Sequence, residues 1–269
     1  MVGICKADSA IGLGPNLTPQ LLLQFINAQG NVLLAQSSTK AAPSSLVNFL
    51  AELEISFPPD RGGVVVDHFS YEATAAADSH DVLVLAPPAP VRPNIKPYFT
   101  PVGDDAAKPI VYPHGMGHVL GSSQLLTPIL RAPSTAYLYD AQEQADLIET
   151  DELFASGAQL GLVSVFQARN SARVAILGAV ELLADKWFDA NVSTVSNAGT
   201  VSNTWNREFA KRLSGWTFHE VGVVRVISVD HRLNGEDGSQ ELNPEIYRIN
   251  NDAVSDSCRQ LARNLSSTN

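Results

Sequence analysis

Apolar positions in the first third of the chain switch between two periods. Leu21, Leu22, Phe25 and Ile26 recur at the three-to-four spacing of one helix face. Thr18 precedes them, Pro19 takes the first helical position and Gly30 stands just past the end, so start and stop signals frame a helix. Asn31-Val-Leu-Leu-Ala35 follows at once, a short unbroken apolar run suited to a strand buried on both faces. A second helix is predicted from Ser44 through Glu52, burying Leu46, Val47, Phe49, Leu50 and the following Leu53. Strands are predicted at Gly63–Val66 and Asp81–Leu85. Helix and strand in alternation predict an α/β fold with a parallel sheet covered by helices.

The middle of the chain is punctuated by proline. Pro87 to Pro101 reads as a surface loop, Lys108–Tyr112 as a strand, and Pro128 with Pro133 excludes an uninterrupted helix between Leu120 and Ala136. Leu162–Gln167 and Ala172–Leu177 are two predicted strands separated by Ala168-Arg-Asn-Ser171, a tight-connection signature. Gly178 leads into a short helix containing Leu182, Leu183 and Trp187, and the Ser-, Thr- and Asn-rich stretch from Asn191 to Thr204 reads as a loop. An amphipathic helix is predicted from Asn206 to His219, with Phe209, Leu213, Trp216 and Phe218 on its apolar side. Gly222 ends it, Val223–Val229 reads as a strand, and Ser255 to Asn269 as a polar tail.

Length and charge narrow the function classes. The 269 residues carry 45% apolar content, enough for a substantial core, and a net charge of −10. That surface repels phosphate backbones, and no basic stripe offsets it, which argues against nucleic acid. No apolar run reaches the length of a membrane span, and Lys6 and Asp8 interrupt the start where a signal peptide needs an apolar stretch. Cys5 and Cys258 lie near opposite ends; their spacing leaves pairing open and says nothing about compartment. Asn16, Asn191 and Asn264 each begin an Asn-x-Ser/Thr acceptor, Asn16 being the poorest because Pro19 follows Thr18.

Candidate chemistry is sparse. No Gly-x-Ser-x-Gly elbow occurs, and neither cysteine falls between a strand and a helix. Gly115-Met-Gly-His-Val-Leu-Gly121 follows a predicted strand and resembles a phosphate-cradling turn, with Asp140 where a ribose-binding acid could sit. Its third glycine is one residue late, no P-loop lysine follows, and Pro128 interrupts the helix that should carry the dipole. His114 and His118 have zinc-ligand spacing, but the glycines between them oppose a helix. Asp67-His68 after a strand could be an acid–base pair or a loop cap. His80, His219 and His231 are scattered. The expectation is therefore no catalytic residue, no cofactor and no metal.

Three stretches carry a resemblance. Val64-Val-Val-Asp-His-Phe-Ser-Tyr71, Phe166-Gln-Ala-Arg-Asn-Ser-Ala-Arg-Val-Ala-Ile-Leu-Gly178 and Asn206-Arg-Glu-Phe-Ala-Lys-Arg-Leu-Ser-Gly-Trp-Thr-Phe-His-Glu220, in this order, resemble the oligosaccharyltransferase 48 kDa subunit family and its fungal wheat-germ-agglutinin-binding counterpart. Leu242–Asp252 and Gly12-Leu-Gly-Pro15 extend the match to about residues 11–254. The resemblance implies a Rossmann-like, glutamine-amidotransferase-like sheet at 11–222, the start of a β-rich domain at 223–254 and an atypical tail at 255–269. It implies a non-catalytic subunit on the lumenal face of the endoplasmic-reticulum membrane that binds other oligosaccharyltransferase subunits in N-glycosylation. It also moves the Gly115–Gly121 loop from cofactor site to scaffold.

Family members open with a signal peptide and a strand–helix–strand unit before the part matching Gly12, and end in a membrane helix. By that comparison the sheet would lack its first strand–helix unit, leave an edge exposed and make the chain prone to aggregate. Two other readings compete: an α/β nucleotide- or sugar-binding enzyme using Gly115, Gly117, Gly121 and Asp140, and a scaffold of another assembly, since intraflagellar-transport proteins resemble the same amidotransferase-like domain.

Overall fold

The computed structural model describes residues 17–38, 41–58, 63–73, 76–90, 92–139, 154–193 and 203–223, with the backbone of two further strands at 3–6 and 200–201. Two units divide the chain, 1–223 and 224–269. The second lies outside the described residues, as do Asn16, Asp140, His231, Cys258, Asn264 and the Val223–Val229 strand beyond its first residue.

Elements of the first unit run in the order β1 (Gly3–Lys6), α1 (Pro19–Asn27), β2 (Val32–Ala35), α2 (Ser44–Glu52), β3 (Ile55–Ser56), β4 (Val64–Val66), β5 (Val82–Leu85), α3 (Lys96–Phe99), β6 (Ile110–Pro113), β7 (Val119–Leu120), β8 (Leu126–Arg131) and β9 (Tyr137–Tyr139). They continue with β10 (Gly161–Gln167), β11 (Arg173–Leu177), α4 (Asp185–Phe188), β12 (Val192–Ser193), β13 (Thr200–Val201) and α5 (Asn206–Thr217). Local chemistry sets several of these boundaries. Thr18 Oγ1 accepts the Leu21 N–H at 3.3 Å and opens α1, with Pro19 at a position that needs no N–H.

The main sheet has the order β1-β2-β11-β10-β8. β1 and β11 both run parallel to β2, whereas β10 is antiparallel to β11 and to β8. The sheet is therefore mixed, correcting the expectation of a parallel one. Its cause is the short connection at 168–171, which can join only antiparallel neighbours. Pro128 sits in β8, an edge strand, where a missing N–H is tolerated. β1 falls among residues the sequence reading left outside the domain, and it covers the edge of β2 that this reading left open.

Both faces of the sheet are buried. Val32, Leu34, Val174 and Ile176 pack with Leu22, Ile26, Leu46, Phe49 and Leu50 from α1 and α2. Leu33, Ala35, Val163, Val165, Ala175 and Leu177 point the other way, into a cluster with Phe209, Leu213 and Trp216 of α5. Each fully buried side chain of this size contributes about 1.5–3 kcal/mol relative to exposure.

Two loop expectations are corrected by burial. The 87–101 stretch contains the one-turn helix α3, and Ile95 and Phe99 are buried in the α5-side core. The 191–204 stretch contains the β12–β13 pair, because Val192 packs with Trp187 and Ala76. The helix expected at 206–219 ends at Thr217.

The hairpin between β10 and β11 fastens this architecture. Asn170 Nδ2 donates to the carbonyls of Ile26 and Asn27 at 2.8 and 3.1 Å, satisfying the end of α1. Its Oδ1 accepts from the Ala172 N–H. Arg173, buried in β11, donates from Nη1 to the carbonyls of Trp216 and Val221 and from Nη2 to that of Gly222, at 2.5, 2.9 and 2.6 Å. Its guanidinium also lies 4.6 Å from the Trp216 ring centroid. A cation thus closes the negative end of α5.

Arg173→Leu should strip three bonds, one of them to a buried carbonyl, and cost roughly 3 kcal/mol in urea unfolding, against about 1 kcal/mol for Asn170→Ala, whose two bonds are part-buried and exposed.

Candidate functional site

Residues singled out by sequence are scattered over the described fold. In the glycine run, Gly115 and Gly117 are buried and Gly121 is exposed, but each has protein atoms where a side chain would go. A Cβ on Gly115 would stand 2.1 Å from the Tyr112 ring, one on Gly117 3.0 Å from Leu160 Cδ2, and one on Gly121 2.7 Å from the Glu54 carboxylate. Three amides of the run are spent internally: Met116 N–H on the Gly178 carbonyl, His118 N–H on Gly161, Gly121 N–H on Glu54. The run continues as β7, paired with β3, and not as a helix, so no N-terminal dipole faces it. These glycines serve close packing.

His114 and His118 go separate ways. His114 Nδ1 lies 2.6 Å from Asp81 Oδ2, and Ser79 donates to the other oxygen of that carboxylate. Burial alone would raise the Asp81 carboxyl, but the Ser79 and His114 hydrogen bonds and the His114 charge outweigh it and hold it below its ordinary range. His118 is fully buried, with Nε2 2.7 Å from Ser164 Oγ in the middle of β10. The spacing anticipated a shared metal; the structure gives the two imidazoles different partners. Among the described residues no group of three His, Cys, Asp or Glu is placed to hold a metal ion.

Sequence reading missed the His118–Ser164 pair, because its members are 46 residues apart and neither belongs to a motif. Chemically it is a poor dyad. Burial pushes the imidazole down to about 4, far from the range of an effective general base at neutral pH. Its Nδ1 is buried with no hydrogen-bond partner, so no third group orients the ring. Ser164 is itself completely buried and sits in a strand, not at a turn.

Asp67 and His68 also part. Asp67 is buried and its Oδ1 accepts from Phe69 N–H at 3.0 Å and Thr135 Oγ1 at 2.8 Å, a turn-capping role. His68 is exposed, with Nδ1 2.5 Å from His80 Nδ1 and Nε2 3.0 Å from the Tyr137 hydroxyl. This surface cluster links β9 to the β4–β5 connection. His219 Nε2 meets the Ser171 carbonyl at 2.9 Å, beside the hairpin. Of the acceptor asparagines, Asn191 is exposed, just ahead of β12.

Protonating His118 has a defined thermodynamic sign. The unfolded chain takes up the proton near pH 6.5 and the folded one only near 4, so stability present above pH 6.5 is lost as pH falls through that window. On the order of 3 kcal/mol should disappear between pH 7 and pH 4. His118→Asn should flatten this part of the profile when urea midpoints are compared across pH.

Comparison with known proteins assigns the chain to a family. The family described as "OST48, N-terminal domain" matches residues 4–220. A relative from Schizosaccharomyces pombe, named dolichyl-diphosphooligosaccharide–protein glycosyltransferase subunit wbp1, is 30% identical over 251 residues, 93% of this chain and 52% of that protein. The 48 kDa subunits so named from Danio rerio and Caenorhabditis elegans are 32% and 30% identical, over 87% and 83% of this chain and 50% and 48% of theirs. The chain thus spans about half the length of the curated relatives it matches. A solved structure titled "mmIFT52 N-terminal domain" superposes with a TM-score of 0.48 at 13% identity, covering 77% of this chain and 72% of that one, a likeness that says nothing of function. With one family's domain matched almost from end to end of the described unit, this chain belongs to the oligosaccharyltransferase 48 kDa subunit (OST48) family.

Proposed function

We propose that the chain is part of a non-catalytic subunit of oligosaccharyltransferase, the complex that transfers a dolichol-linked glycan to Asn-x-Ser/Thr acceptors in the endoplasmic reticulum. The observation that carries this reading is the family match across residues 4–220, with relatives named as subunits of that glycosyltransferase. The geometry supports a scaffold role: the glycine run, the buried Ser164–His118 pair and Asp67 are each engaged in holding the fold. In this reading no cofactor or metal is required, and the other subunits of the complex are the partners.

The finer architecture belongs to the same proposal. β1, α1 and β2 form a strand–helix–strand unit with parallel strands, which supports a Rossmann-like, amidotransferase-like core. A β-rich domain would begin at 223–254, followed by the tail at 255–269. The domain would face the lumen of the endoplasmic reticulum. No described helix is long and apolar enough to cross a membrane, so in this reading the described unit works beside the bilayer. Asn191, exposed and followed by Val192 and Ser193, is the acceptor best placed to carry a glycan, with Asn16 and Asn264 as further candidates.

The test is biochemical. A tagged gene product carrying this chain should co-purify with other oligosaccharyltransferase subunits from digitonin-solubilised microsomes, and its depletion should lower sequon occupancy on reporter glycoproteins. Recovery as a free protein with unchanged occupancy would overturn the proposal. The competing nucleotide-enzyme reading expects a thermal shift of the chain with millimolar nucleotide; none should occur. Endoglycosidase treatment should shift the mobility of the secretory product, and Asn191→Gln should abolish the part of that shift due to this site.

A further inference from the structure

A cleft of about 950 Å³ opens between the Pro-rich segment 86–90 and β8. Ala86-Pro-Pro-Ala-Pro90 forms one wall, and Leu126, Ile129 and Leu130 of β8 contribute the apolar part of the other. We propose that this cleft docks an extended, acidic segment of a partner polypeptide, its apolar side chains against β8 and its carboxylates on Arg92 and Arg131.

Four observations point to that chemistry. Charge comes first. The chain bears a net charge of −10, yet the described lining of the cleft includes Arg92 and Arg131 and no Asp, Glu or Lys. Arg92 has no side-chain partner among the described residues, and Arg131 uses only Nη1, on the Ala158 carbonyl at 2.5 Å. Two guanidiniums in such a setting select carboxylates by charge and by fork geometry.

The second observation is hydrogen-bonding capacity. Segment 86–90 makes no backbone hydrogen bond to another described residue, and three of its five residues are proline. Its five carbonyls outnumber its two N–H groups, and the backbone N–H groups of an extended peptide can supply further donors. On the opposite wall Thr127, 2% exposed, has its Oγ1 without a partner. Third, β8 is an edge strand of the main sheet, and no described strand pairs with its outer edge. Pro128 within it blunts pairing by a full new strand, which favours contact through side chains.

The fourth observation concerns the alternatives. No aromatic ring lines the cleft, so it offers no stacking platform for a sugar or a base. No helix N-terminus or lysine faces it to hold a phosphate chain. The size is at the upper end for small-ligand pockets and suits several peptide residues.

The proposal deepens the complex-subunit reading and rests on it only for the partner being another subunit. Its test needs no subunit: a displayed library of random linear decapeptides is selected on the full 269-residue chain. Enriched sequences should combine acidic and apolar residues, and in fluorescence anisotropy the synthetic peptides should bind at least about tenfold more weakly to Arg92→Glu. The Arg92→Glu/Arg131→Glu double variant should release them and favour their lysine-substituted counterparts. Arg92 is a surface residue outside the core, so the single variant keeps the test valid if the double variant unfolds. Failure to enrich any peptide, enrichment of basic or charge-free sequences, affinity unchanged in Arg92→Glu, a chain that dimerises through this face in sedimentation, or saturable binding of a neutral oligosaccharide there would each overturn it. A failed co-purification with intact peptide binding would count against the function proposed above and leave this site standing.

Discussion

One buried cation holds the two sides of the molecule in register. Arg173 belongs by backbone to the central strand β11 and by side chain to the end of α5, where it pairs the buried Trp216 carbonyl and the part-buried carbonyls of Val221 and Gly222 just beyond the helix. Burying a guanidinium is costly, and the cost is offset only because acceptors and the Trp216 ring surround it. The same hairpin turns its other side to α1 through Asn170, and the Asn31 side chain accepts the Arg173 N–H at 2.9 Å. A run of seven residues, Gln167 to Arg173, therefore ties helices from both layers to one pair of strands. Its polar residues are spent on geometry that few substitutes could reproduce.

Much of the fold was legible because its local signals agree with one another. Thr18 and Pro19 opened a helix where one begins, the unbroken Val32–Ala35 run became a strand buried on both faces, and the two prolines beyond Leu120 excluded a helix where β8 lies. Less legible were features set by distant contacts. β1 is short and gains its place only from pairing with β2. α3 and β12 sit in segments whose composition reads as loop, and become ordered because Phe99 and Val192 have cores to enter. The parallel expectation failed at the β10–β11 hairpin, where four residues cannot make a crossover, and again where β8 pairs with β10 and where β4, β5 and β6 form antiparallel pairs outside the main sheet.

The candidate site was legible mostly by elimination. Glycines at 115, 117 and 121 carry a phosphate-loop spacing but not its surroundings, and the atoms nearest to them belong to Tyr112, Leu160 and Glu54. Histidines four apart suggested a metal, while the fold gave one an aspartate at the surface and the other a serine in the interior. The cleft beside β8 left little trace in sequence beyond a cluster of prolines and the end of the glycine run at Gly121, since its main walls are two segments about forty residues apart meeting without pairing.

Asn206 shows what such long-range bonding asks of a growing chain. At the start of α5 its amide both accepts from the Val111 N–H and donates to the Val111 carbonyl, at 2.9 and 2.8 Å, so one side chain finishes the edge of β6 as a neighbouring strand would. The two residues are 95 positions apart, and the Asn31–Arg173 contact spans 142. At ribosomal speeds of roughly 5–20 residues per second, those edges wait several seconds to half a minute for their partners. Throughout that interval the nascent polypeptide presents incomplete strands, so its maturation depends on shielding by chaperones for about as long as translation of the domain takes.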